Sequence, residues 1–115
     1  MKHKIILVVG SDMEKKNKLL ETLRNKIDFS YIKLEALLST VAESLNRNIT
    51  EQEGINFFHK FLSNINKSEE RYIIDLNDCK EEKLNKYINN QDILVVKIDD
   101  KEITKIVDEI EKNMI

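Results

Sequence analysis

Gly10 and Lys16 stand at the spacing that a phosphate-binding loop requires, in the stretch V-V-G-S-D-M-E-K-K-N-K-L-L from Val8 to Leu20. Such a loop reads G-x-x-x-x-G-K-[ST]. Its backbone amides cradle phosphate oxygens, its lysine neutralises their charge, and its hydroxyl holds Mg²⁺. Here Lys15 stands where the second glycine belongs and Asn17 where the hydroxyl belongs, so the candidate phosphate-binding set is Gly10, Ser11, Lys15, Lys16 and Asn17. The same residues have a plainer reading. Ser11-Asp12-Met13-Glu14 is a capping box, S-x-x-E, with Ser11 as N-cap and Glu14 at the third helical position. Asp12 and Glu14 then meet the positive end of the helix, at about 0.3–1 kcal/mol each, and repel phosphate from that region. The capping reading leads.

Asp75 closes a strand-like run and is the candidate metal ligand and catalytic carboxylate. Asp75, Asn77 and Asp78 also read as strand-end polarity and a cap for a helix starting at Lys80, and this second reading is favoured. His3 and His59 have no cysteine or carboxylate at metal-ligand spacing. Cys79, the single cysteine, is expected to be structural. Its place at a helix start gives it a route to a lowered pKa. Phe57, Phe58 and Phe61 crowd one helix, and a single face cannot easily bury all three. They are the candidate interaction residues, with core packing the competing account.

The elements that must position these residues follow from periodicity. Ile5–Val9 is a continuous apolar run that predicts a strand covered on both faces. Leu19, Leu20, Leu23 and Ile27 predict a helix over 12–27. Phe29–Leu34 predicts a short strand, and Leu34, Leu37, Leu38, Val41, Ala42 and Leu45 share one helical face. Asn46-Arg47-Asn48 breaks that helix. Thr50 to Glu53 is a capping box for the next, which carries Ile55, Phe58, Leu62 and Ile65 inward. After a polar loop from Asn66 to Arg71, Tyr72–Leu76 predicts a third strand. Lys80–Ile88 predicts a short helix and Asp92–Ile98 a fourth strand. Asp99 or Asp100 is the expected cap of a last helix bearing Ile103, Ile106, Val107, Ile110 and Met114.

Strands alternating with helices require right-handed crossovers, hence a parallel sheet with helices on both faces. The expected fold is a single α/β domain over residues 1–115: a three-layer sandwich with a four-stranded parallel sheet ordered 2-3-1-4 and a helical insertion at 35–66. Ligands in such sheets bind at the carboxyl ends of the strands. Those ends are Gly10–Lys16, Leu34–Glu35, Asp75–Asp78 and Asp99–Lys101.

The chain is 115 residues long, 41% hydrophobic and 35% charged, with a net charge of −2 and neither proline nor tryptophan. That balance predicts a well-solvated globular domain without general attraction for nucleic acid or an anionic membrane. No apolar run reaches the roughly 18–20 residues of a membrane span. The basic start before Ile5 reads as the lead-in to a strand rather than a signal peptide. With one cysteine, a cytoplasmic location is expected.

In order and spacing, nearly the whole chain resembles a small P-loop kinase of the adenylate kinase or shikimate kinase type. Ile5–Leu20 resembles the first strand, phosphate loop and first helix. Asp28–Leu38 resembles the segment holding the acceptor substrate, and the helices through Ile65 its insertion. Tyr72–Leu76 and Asp92–Ile110 resemble the two following strands and the last helix. The resemblance implies ATP and Mg²⁺ as cofactors, Lys16 on the transferred phosphate, Gly10 opening the loop, and Asp75 placing the metal. Against this, the loop lacks its second glycine and its hydroxyl, the only arginines are Arg24, Arg47 and Arg71, and the arginine-rich lid and fifth strand are missing. The expectation is therefore a degenerate, non-catalytic pseudo-kinase, a nucleotide-binding or regulatory module with a protein partner or self-association. An active small-molecule or nucleoside monophosphate kinase, and a receiver-like or purely structural interaction domain, are the alternatives.

Overall fold

The computed structural model describes residues 5–65, 67, 69–88 and 93–114. His3, Asn66, Asp92 and the expected burial of Met114 lie outside the described residues. The first strand, β1 (Ile5–Val9), is buried at every position, as a continuous apolar run requires when helices cover both faces of a sheet. It pairs in parallel with β3 (Tyr72–Asp75) on one side and β4 (Leu94–Lys97) on the other. β2 (Ser30–Lys33) pairs in parallel with β3, and the four-stranded sheet runs β2-β3-β1-β4. The expected strand order and α/β class are therefore observed.

Alternation along β1 divides the core in two. Ile5, Leu7 and Val9 face Ile55, Phe58 and Leu62 of α3 (Glu51–Ile65) and Leu84 and Tyr87 of α4 (Glu81–Tyr87). Ile6 and Val8 face Leu19 and Leu23 of α1 (Met13–Arg24) and Ile106, Val107 and Ile110 of α5 (Ile103–Met114). Among the described residues no helix is long and apolar enough to cross a membrane.

Several boundaries differ from the periodicity. α1 stops at Arg24, because the Lys26 and Ile27 amides both turn back onto the Leu23 carbonyl; Ile27 is buried all the same. α2 (Leu34–Leu45) buries only Leu34, and its apolar stripe runs out to Leu45, which is 50% exposed. Asn46 ends it in a left-handed conformation at φ 56°. The capping box at the start of α3 forms as expected. The Glu53 amide donates to Thr50 Oγ1 at 3.1 Å, and the Thr50 amide donates to Glu53 Oε1 at 3.0 Å. Arg47 adds a fork onto the same carboxylate. This pairing, with the Thr50 amide, holds Glu53 down at a pKa of about 2.

Candidate functional site

β1 delivers the chain to Gly10, whose φ of +152° and amide bond to the Asn77 carbonyl at 2.9 Å fix the turn into α1. A Cβ there would lie 2.5 Å from Ile98 Cγ1 and 2.8 Å from Asp99 Oδ1, so glycine is required by space as well as by φ. The cap of α1 is Asp12 rather than Ser11. Asp12 Oδ1 accepts from the Lys15 amide at 3.1 Å, one residue later than the S-x-x-E pattern suggests. Ser11 is displaced because its amide and hydroxyl both turn to another partner, Asp99.

Asp99 Oδ2 accepts from the Ser11 amide at 3.1 Å and from the Ser11 hydroxyl at 3.4 Å, and its Oδ1 accepts from the Asp12 amide at 3.1 Å. The two amides that open α1 therefore hold a carboxylate of the chain itself. These bonds, the Ser11 amide foremost, lower the Asp99 pKa. The expectation that Asp99 caps the last helix is thus corrected: it serves the first. Lys15 completes the clasp. Its ammonium donates to the carbonyls of Ile98 at 3.3 Å, Asp99 at 3.1 Å and Lys101 at 3.0 Å. The side chain that stands where a phosphate loop would have its second glycine fastens the turn after β4 onto the turn after β1.

Lys16 points the other way. It is only 2% exposed, and its Nζ lies 3.1 Å from Asp75 Oδ1 and 3.1 Å from Asn77 Oδ1. Asp75, 4% exposed, also accepts from the Tyr31 hydroxyl at 2.5 Å and from the Asn77 amide at 2.7 Å. Asn77 reaches both partners from a left-handed backbone at φ 56°. Burial first, then the Asp75 carboxylate, raises the Tyr31 pKa. A buried carboxylate with two neutral donors and one cation is satisfied internally, as the desolvation cost of each charge demands. Asp75 therefore does not cap the helix expected from Lys80, and neither does Asn77 or Asp78: α4 begins at Glu81 with Lys80 as its N-cap residue, and the Lys80 side chain makes no cap bond.

The remaining candidates separate. Asn17 is exposed on α1. Phe58 is fully buried against Tyr87 at a centroid distance of 5.5 Å, whereas Phe57 and Phe61 are half-buried and stack on each other at 6.5 Å. His59 meets the Lys86 carbonyl at 3.0 Å. Burial raises the Cys79 pKa, so the helix start does not activate its thiol. Cys79 lines a cavity of about 290 Å³ at the carboxyl ends of β2 and β3, with Leu34, Leu38, Glu35, Lys83 and Tyr87.

Mg²⁺ and ATP do not fit this arrangement of residues. The α1 amides hold Asp99, the Lys16 ammonium holds Asp75 and Asn77, and both Asp75 oxygens are engaged. Among the described residues no group of three or more His, Cys, Asp or Glu side chains is placed to hold a metal ion. Sequence reasoning named Lys16 and Asp75 separately but not their contact, and it assigned no role to Tyr31. The available signal for Asp99 was its position at the carboxyl end of a strand beside Gly10. No protein-family model matches the chain, and no curated protein matches it either.

Proposed function

We propose that this chain is a degenerate relative of small P-loop kinases that works as a non-catalytic regulatory or protein-interaction module. The observation that carries the reading is the Asp99 carboxylate on the Ser11 and Asp12 amides, in the position a phosphate would need. Expelling it would cost its hydrogen bonds, and a phosphate arriving there would meet Asp12 as well as Asp99. The strand order and the Gly10–Lys16 spacing support the kinase ancestry; Lys15, Asn17 and the buried Lys16 support the loss of chemistry.

Thermal melting with ATP, ADP and AMP plus Mg²⁺ tests this. A ligand at 100 times its dissociation constant stabilises by about 2.7 kcal/mol, a shift of several degrees for a domain of this size. The expected result is no shift with millimolar nucleotide. A shift that disappears in Lys16→Met would overturn the reading.

A second reading, an active ATP-dependent small-molecule kinase, is favoured by one observation. The cavity beside Leu34, Glu35 and Lys83 lies at the strand ends where open α/β sheets take ligands. It requires Lys16 to leave Asp75 and Asp99 to leave the loop, and it predicts ATP consumption that Lys16→Met abolishes.

A further inference from the structure

We infer that the cavity at the carboxyl ends of β2 and β3 is a binding site for a small zwitterion, a free amino acid with an apolar side chain. Two helices and one turn wall it. Leu34 and Leu38, one turn apart on α2, supply one wall, and Lys83 and Tyr87, one turn apart on α4, supply another. The turn after β3, residues 76–79, closes the third side. The volume of about 290 Å³ lies at the small end of ligand pockets, at the strand ends where open α/β sheets take ligands.

The Tyr87 hydroxyl carries the inference. Tyr87 is 3% exposed, with its ring edge-on to Phe58 at 5.5 Å. A buried tyrosine ordinarily gives its hydroxyl a partner, because burial has already taken its hydrogen bonds to water. Among the described residues nothing pairs with this one. Burial first, then the Glu51 carboxylate and the Cys79 thiol, raise its pKa. The hydroxyl therefore keeps its proton and stands as a donor near the thiol that lines the same cavity.

The charges around it decide what it takes. One turn before Tyr87, Lys83 brings an ammonium that no described residue pairs with. An ammonium and a hydroxyl together suit a carboxylate. Glu35 on α2 and Asp78 after β3 bring two carboxylates, likewise unpaired among the described residues, and these suit an ammonium. A simple anion meets repulsion from Glu35 and Asp78, and a simple cation meets it from Lys83, whereas a zwitterion answers both signs. Leu34, Leu38 and Leu76 are left for an apolar side chain.

The inference goes beyond the regulatory reading and rests on the cavity alone. Its test is calorimetric titration of leucine into the full chain without nucleotide or Mg²⁺, so either reading can fail without the other. Alkylation of Cys79 by iodoacetamide gives a second readout, since it is the single cysteine and lines the cavity. The expected result is saturable binding at millimolar leucine or below, slower alkylation of Cys79, and affinity at least about 10-fold weaker in Tyr87→Phe and in Lys83→Met. Isocaproate, which lacks the ammonium, and isoamylamine, which lacks the carboxylate, should each bind at least about 10-fold more weakly than leucine. Tyr87→Phe removes no hydrogen bond of the chain's own, so its urea midpoint should match wild type and its lost affinity reports the ligand contact. No binding at millimolar leucine, binding that either variant leaves unchanged, or an analogue that binds as tightly as leucine overturns the inference.

Discussion

At the scale of single residues, the centre of the molecule is a buried ion pair. Lys16→Met removes the cation and leaves the Asp75 carboxylate, 4% exposed, without a counter-charge, so urea unfolding should show a loss of about 3–5 kcal/mol. Removing the charge from both partners in Lys16→Met with Asp75→Leu should recover part of that loss, because the uncompensated charge goes with it. Asp99 gives a pH signature. Its pKa is lowered in the folded chain by the Ser11 and Asp12 amides, so its contribution is present above the ordinary carboxylate range and is lost as pH falls through the lowered value. Denaturation followed from about pH 6 to about pH 3 should show a falling stability, and Asp99→Asn should flatten part of that fall. Lys16, Asp75 and Asp99 all stand at strand ends that the sequence marks for chemistry. Which of them meet is decided by sheet order and side-chain rotation, and one-dimensional spacing does not encode either.

At the scale of elements, periodicity and capping account for most of what forms. Thr50 and Glu53 read as a capping box and make one, so Thr50→Ala should cost about 1 kcal/mol by thermal or urea unfolding. The box at Ser11 reads equally well and does not form, because a carboxylate from another element takes the Ser11 amide first. Local pattern was legible there, and the long-range competitor was not. Gly10 marks the junction where this happens. Gly10→Ala must place a methyl 2.5 Å from Ile98 Cγ1 at a φ of +152°, and backbone strain and overpacking each carry about 1–3 kcal/mol. A clear drop in melting temperature is expected; an unchanged melt would mean the turn can reopen without cost. α2 teaches the converse. Its stripe of Leu34, Leu37, Leu38, Val41 and Leu45 is a strong helix signal, yet the fold buries only Leu34, since periodicity specifies a face and not what covers it.

At the scale of the whole molecule, the alternation of strands and helices made a parallel sheet with helices on both faces legible, whereas the order β2-β3-β1-β4 does not follow from alternation alone, because right-handed crossovers are compatible with several strand orders. That order brings the turns after β1, β3 and β4 together. The chain fills the place where they meet with its own groups: Asp99 on the amides of α1, Lys15 on the carbonyls after β4, and Lys16 on Asp75. The central claim, that this meeting point is closed to phosphate, is tested most directly by following the Ser11 and Asp12 backbone amide resonances while Mg²⁺ and ATP are titrated into the wild-type chain. If the account is right, both resonances stay where Asp99 holds them up to millimolar nucleotide, and they move only when Asp99 is replaced by asparagine. Saturable shifts of both amides in the wild type would contradict it, since they would mean that nucleotide displaces the carboxylate and that the loop still binds phosphate.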